Sequence, residues 1–421
     1  MHRRGAPAFS DEVWDVLSTW ETRFDQLIDE YDEDIIKIRR HLHAHPEASG
    51  EEVATTRYVA DSLKELGVES RIYRDDIGAT ADFTIGSPAP ESPLIAIRGD
   101  LDALRMPDEK TVAYASQNPG CAHACGHDAH AAILLGIAMA AAGFGSEGEN
   151  EDGLGAQIRL LFQPAEEICM GATWMVEQGA AEGVDAILGL HVDPECLVGE
   201  VGIRYGNLTA NCDEVEIVIE GHGGHSARPH QTVDPIAAAA HLVSSLYEFL
   251  PRSVDSRHPS VFTAGQLNGG YAPNVIPEHV TIRGSLRTTD ASTRLSLQRR
   301  IVEICKGAEH SSGTEIRVQF LSPLKAVDNH PRVAAAFEEA AQRVVGPDHI
   351  HIIERPSMGG EDFSVYLDHV PGALLRLGCS TPGTEPQFLH SSLFDLDERA
   401  LATGIKILIR SALLLSIGPK Q

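Results

Sequence analysis

Short apolar runs at Pro93–Arg98, Ile158–Phe162 and Ala186–His191 alternate with helical stretches at Asp128–Ala142 and Gly171–Gln178. Strands alternating with helices at this spacing call for an α/β layer with parallel strands. After about Gly206 the pattern changes. Val215, Ile217 and Ile219 alternate with charged residues, the mark of a strand with one wet face. Helix Pro235–Leu250, strands Val261–Gln266 and Val280–Leu286, helix Ser292–Glu309 and strand Ile316–Phe320 follow. This β-α-β-β-α-β order predicts a ferredoxin-like unit, inserted at 208–322 into an α/β domain made of 1–207 and 323–421. Helices Val333–Val345, Glu361–Asp368 and Glu398–Leu415, with strand Ala373–Leu377, complete that domain. Helical periodicity over 12–43 and 52–66 opens it, and Gly143–Gly155 reads as a solvated loop.

The 421 residues allow two or three domains. Against 34 Lys and Arg stand 61 Asp and Glu, a net charge of -27. Such a surface repels nucleic acid and anionic membranes, so neither is expected as a partner. No apolar run approaches the ~20 residues that span a bilayer. Ile405–Ile417 is interrupted by Lys406 and Arg410, and the N-terminus lacks the apolar core of a secretory signal. Seven scattered Cys suit a reducing, cytoplasmic setting.

The densest chemistry is Cys121-Ala-His123-Ala-Cys125-Gly-His127-Asp128-Ala-His130. Thiolate and imidazole are zinc ligands, and a Cys-x-His pair on a turn can place both on one ion. The plainer alternative is a helix start with Asp128 as cap. Cys125 and His127 are the strongest candidates. Glu166 and Glu167 follow the strand ending at Phe162, where ligands bind in α/β sheets, so one can hold metal while the other addresses water. His191 terminates a further strand, Asp102 follows the strand at 94–98 as a partner for an imidazole, and His390 lies after a Pro/Gly-rich loop. Each alone is an ordinary strand-end or loop residue. Gly223-Gly224-His225-Ser226 can present an imidazole to an oxyanion. Met358-Gly359-Gly360-Glu361-Asp362 reads as a helix opening whose glycine amides suit an anion. The histidines at 41, 43 and 45 do not share a helix face and are read as structural.

In this order the motifs resemble the amidohydrolase branch of the dimetal aminoacylase/carboxypeptidase family of metallopeptidases, a branch with hippurate hydrolase, N-acyl-amino-acid amidohydrolases and auxin-conjugate hydrolases. The resemblance runs from about Ile38 to the C-terminus. It implies a catalytic domain with two divalent ions (Mn, Zn, Co or Ni) held by Cys125, His127, Glu167, His191 and His390. Glu166 would be the general base and Asp102 the carboxylate beside the metals. The inserted domain would act as a lid and homodimerisation module carrying His225, with Asn274, Arg287, Gly359 and Gly360 contacting substrate. The implied reaction is amide hydrolysis of N-acetyl or N-benzoyl amino acids by a metal-activated water. A dipeptidase of the same family, a catalytically silent metal-dependent binding protein and a cysteine hydrolase are the alternatives. Leu104-Arg105-Met106 and Ser391-Ser392 depart from the usual Leu-Pro-Ile/Leu and Ser-Pro.

Overall fold

The computed structural model describes residues 11–145 and 155–417. It separates into two compact units, the first from the described parts of Met1–Gly206, Val327–Glu354 and Asp362–Gln421, the second from Asn207–Ala326 and Arg355–Glu361.

An eight-stranded mixed sheet organises the first unit. Its spatial order is Ser70–Ile72, Ala79–Gly86, Gly155–Gln163, Leu94–Asp100, Ala186–Leu197, Gly372–Ser380, Val201–Ile203 and Ile350–Ile352. The four central strands, Gly155–Gln163 to Gly372–Ser380, are mutually parallel. Three of them are almost wholly buried, and Ala186–Leu197 is buried through Val192. Because these neighbours run the same way, their carboxyl ends fall on one edge, and the chemistry-bearing segments leave from there. The short strands Ser70–Ile72, Val201–Ile203 and Ile350–Ile352, and the strand Ala79–Gly86, had no expectation from sequence. Ser70–Ile72 and Ile350–Ile352 are largely exposed edge strands, three residues each, too short to show periodicity.

The helical periodicity over 12–43 is one long helix, Asp11–Ala44. It packs on helix His127–Gly145, which also meets helix Arg399–Ile417. A Cβ on Gly136 would stand 2.4 Å from Ile405 Cδ1, and one on Gly404 2.8 Å from Ile133 Cδ1. Glycine is what lets these two helices approach so closely. Both are 19 residues long and apolar enough to cross a membrane, which corrects the expectation that no run came near this. The most apolar window of each is 78% buried inside the protein. They are therefore core helices, apolar nearly all round because protein surrounds them. Of the loop expected at Gly143–Gly155, the helix takes the start up to Gly145 and a strand begins at Gly155; the intervening residues lie outside those described.

The second unit is a four-stranded antiparallel sheet ordered Ser260–Gly269, His279–Thr288, Asn211–Glu220, Glu315–Leu324. Helices Pro235–Phe249 and Ala291–Ser312 begin at Asp234 and Asp290, whose carboxylates accept the first free backbone N–H groups. Val215, Ile217, Ile219, Val280 and Ile282 form a core with Leu242, Leu246, Leu297 and Ile301 from these helices. The opposite face carries ion pairs such as Arg283–Glu216. This is the ferredoxin-like strand order. Sequence did not show that Arg355–Glu361 returns to this unit. Ser357 N–H donates to Leu208 O (2.9 Å), Ala210 N–H to Gly359 O (3.0 Å) and Arg287 Nη1 to Met358 O (2.7 Å). A crossing held by isolated backbone bonds leaves no periodic trace.

Candidate metal centre

Cys125 and His127 flank Gly126, whose φ is +85° and whose added Cβ would lie 2.4 Å from Val192 Cγ2. Only glycine takes this left-handed turn without strain. The turn directs both side chains to one point at the start of helix His127–Gly145. His127 Nδ1 lies 3.0 Å from Asp102 O and 3.1 Å from Asp102 Oδ1, so this nitrogen carries the proton. Its Nε2 is buried with no hydrogen-bond partner. His191 is similar: Nδ1 donates to Val192 O (2.7 Å), and Nε2 lies 3.5 Å from Cys125 Sγ. His191 is not at a strand end as expected, because its strand continues to Leu197.

Glu166 and Glu167 follow Ala165, a non-glycine residue at φ +54°. Glu167 N–H donates to Asp102 Oδ2 (3.0 Å), so one carboxylate orients His127 and anchors the Glu167 backbone. Ser49 Oγ donates to the same oxygen (2.6 Å). His390 Nε2 lies 3.3 Å from Glu167 Oε1, and its N–H donates to Ala124 O (2.7 Å). His390 also has positive φ, +62°. Non-glycine residues held in this region cost ~1–3 kcal/mol and cluster at functional sites.

Donor atoms of Cys125, His127 and His191 all lie within 4.8 Å of one another, as do those of Cys125, Glu167 and His390, and of His127, Glu166 and Glu167. The five expected ligands and Glu166 thus gather in one place, with Cys125 shared between two triads. The unpartnered His127 nitrogen and the mixed S, N and O donor set fit two divalent cations. Against burial, Asp100 and Cys125 hold His127 well above its usual range, so a cation at Nε2 would displace a proton. Burial pushes the Cys125 thiol up to about 12 despite His127 beside it, and a coordinated cation is what deprotonates such a thiol. Burial also drives His191 well below its usual range, keeping it neutral.

Within the same motif His130 is engaged elsewhere, while both ring nitrogens of His123 are buried without a hydrogen-bond partner. His130 Nε2 accepts from Val192 N–H (3.0 Å), so its Nδ1 carries the proton and donates to Asp100 Oδ1 (2.5 Å). Asp100 also accepts from Arg98 (2.6 Å). His123 is buried and pushed down to about 4 by burial, and Cys121 is pushed up to about 11 by the same cause. Neither belongs to a donor triad among the described residues. His43 lies 2.7 Å from Asp128, in keeping with a structural reading.

Sequence reasoning missed Glu52, Ser49 and Arg98. Glu52 is fully buried, and its Oε1 accepts from Gly50 N–H (2.9 Å) and Ala165 N–H (2.8 Å), fixing the strained residue before Glu166. Nothing in its sequence surroundings distinguishes it from an exposed acidic residue.

In the second unit, His225 is exposed and paired opposite Val275, and Ser226 N–H donates to Asn274 O (3.1 Å), so His225 and Asn274 are neighbours. Arg287 and the Gly359–Gly360 segment are likewise joined through Met358. Two expectations fail here. Gly359 N–H donates to Ser357 Oγ (3.0 Å) and is not free for an anion. The helix expected at 361–368 is a short 3-10 turn, Asp362–Asp368, whose tighter winding follows the bonds that pull Asp362 to Gln163 and Ala172.

A mixed α/β sheet with a thiol, imidazoles and carboxylates gathered at its carboxyl edge defines a metal-dependent hydrolase. Comparison with known proteins specifies it. Residues 96–413 match the model of peptidase family M20/M25/M40, and the chain belongs to that family, as an enzyme of its amidohydrolase branch. It is 37% identical to an N-acetyl-L-cysteine deacetylase of Bacillus subtilis, over 94% of this chain and 92% of the relative. It is 38% identical to an N-acyl-L-amino acid amidohydrolase of Geobacillus stearothermophilus, over 72% and 80%. A solved Bacillus subtilis structure, a dinuclear metal binding peptidase of this family, superposes with a TM-score of 0.77 at 31% identity, covering 92% of this chain and 99% of its own.

Proposed function

We propose that this enzyme hydrolyses the amide bond of N-acyl amino acids, of the N-acetyl or N-benzoyl type, to a carboxylate and a free amino acid. The observation that carries the reading is the sharing of Cys125 between two donor triads beside Glu166, together with the deacylase and amidohydrolase relatives. Cys125, His127, Glu167, His191 and His390 would hold two divalent ions. When bound, such ions supply Lewis acidity and lower the pKa of water towards ~7.

The chain's own residues do the rest. Glu166 is buried, its Oε2 4.0 Å from His127 Nε2. There it takes a proton from the attacking water and returns it to the leaving nitrogen, which would otherwise depart as an unstable amide anion. Asp102 holds His127 in the tautomer that leaves Nε2 bare. His225, from the lid, donates to the oxyanion, while Asn274, Arg287 and the Gly359–Gly360 segment position the substrate. Dimerisation through the lid completes the proposal. A panel of N-acetyl and N-benzoyl amino acids and dipeptides, assayed with metal-analysed protein, tests it. Chelator-sensitive release of amino acid from the N-acyl substrates supports the reading. Turnover confined to dipeptides, or turnover that survives chelation but not thiol alkylation, overturns it.

A further inference from the structure

The guanidinium of Arg39, on helix Asp11–Ala44, is completely buried. Its Nε donates to Asp128 Oδ2 (2.8 Å), its Nη2 to Asp395 Oδ1 (2.8 Å) and its Nη1 to Glu398 Oε1 (3.4 Å). Asp128 is the residue after His127. Asp395 lies five positions beyond His390 on the same loop. A single planar cation therefore clamps the two segments that carry ligands His127 and His390. Each segment has a further tie to the clamp: His43 Nδ1 lies 2.7 Å from Asp128 Oδ2, and Tyr114 OH donates to Asp395 Oδ2 (2.8 Å). The Arg39 guanidinium rests 5.1 Å from the centre of the Tyr114 ring.

Ion pairs this deeply buried add little net stability, because desolvation offsets the attraction. What they do confer is geometry: the guanidinium fork fixes two carboxylates in one plane, which a lysine cannot do. The His390 side chain is 55% exposed; its backbone N–H donates to Ala124 O (2.7 Å), Ser392 is tied to Glu109 by two bonds (2.9 and 2.6 Å), and the clamp fixes the Asp395 end of the loop.

We propose that Arg39 is a positioning residue for the metal centre, setting the placement of the His390 loop relative to the Cys125–His127 turn and hence the affinity for at least one cation. The proposal rests on the ligand assignment above. The test is equilibrium binding of Zn2+ and of Co2+ to Asp395→Asn and Arg39→Lys, by competition with a chromophoric chelator. Thermal midpoint and circular dichroism are recorded alongside. Asp395 is partly exposed, so its conservative variant decides the matter if Arg39→Lys does not fold. The expected result is a folded Asp395→Asn protein that holds one ion tenfold to a hundredfold more weakly, with an altered Co2+–thiolate absorption band. Wild-type affinity for both ions, or a lowered midpoint with intact affinity, overturns the proposal. His390→Ala is the companion variant: unchanged metal stoichiometry there refutes the ligand assignment itself, not the clamp.

Discussion

Asp102→Asn changes one oxygen for one NH2 and leaves the volume of the site alone, yet neither orientation of the new amide fits. Asp102 Oδ1 faces the proton-bearing Nδ1 of His127, and Oδ2 accepts from Ser49 Oγ and Glu167 N–H. With the amide oxygen towards His127, the NH2 confronts the Glu167 N–H, which cannot rotate away. With the oxygen towards Glu167, the NH2 confronts His127 Nδ1–H, which keeps only Asp102 O as acceptor and is pushed off its position. Asp102 is almost fully buried and held as a carboxylate; burial opposes that charge, but the contacts from His127, Ser49 and the Glu167 N–H together outweigh it. One buried donor left unsatisfied costs ~1–3 kcal/mol, and tenfold in an equilibrium corresponds to about 1.4 kcal/mol. The expected loss in cation affinity is therefore roughly tenfold to a hundredfold. Chelator competition measures it directly, and kcat/KM at limiting metal should fall in parallel. An Asp102→Asn protein with wild-type affinity and turnover would show that the carboxylate does not orient His127. Ser49→Ala, which removes a donor whose partner keeps two other contacts, serves as the milder control.

Glu166→Gln should retain both ions by elemental analysis while kcat drops ~10²–10⁴-fold, the usual worth of a general base; near-normal kcat removes Glu166 from that role. Gly126→Ala places a methyl at φ +85° and 2.4 Å from Val192, so at ~1–2 kcal/mol for the backbone alone it should lower the denaturation midpoint and weaken metal retention. An unchanged protein would mean that the turn relaxes freely. Glu52 is pushed up to about 7, chiefly by burial. In chelator-treated protein the folded state thus holds its proton more tightly than the unfolded chain. Its contribution, about 3 kcal/mol at most, is fully present below pH ~4.5 and is lost as pH rises through about 7. Denaturant titrations from pH 5 to 8 should show wild type losing stability relative to Glu52→Gln as pH increases, and parallel curves would contradict the shift.

Local chemistry and periodicity were legible in this chain before any coordinates. Alternating apolar and helical runs specified an α/β layer, and the strict alternation at Val215, Ile217 and Ile219 marked a sheet with one wet face, because burial imposes a period on side chains wherever an element is long enough to repeat. Glu166, Glu167, Cys125 and His127 stood out because thiols, imidazoles and paired carboxylates seldom crowd beside apolar strands. The short strands escaped notice, since three residues cannot display a period, and so did the return of Arg355–Glu361 to the second unit. Tertiary structure alone decided which nitrogen of each histidine is bare. His130 sits in the same motif as His127, yet it faces Asp100 and a backbone N–H while His127 faces its neighbours' donor atoms. Tertiary structure also decided that Arg39 and Glu52, ordinary charged residues in sequence, are buried beside the centre. Sequence records which groups are available, but hydrogen-bond satisfaction depends on partners brought together from positions hundreds of residues apart, and only the folded chain settles who those partners are.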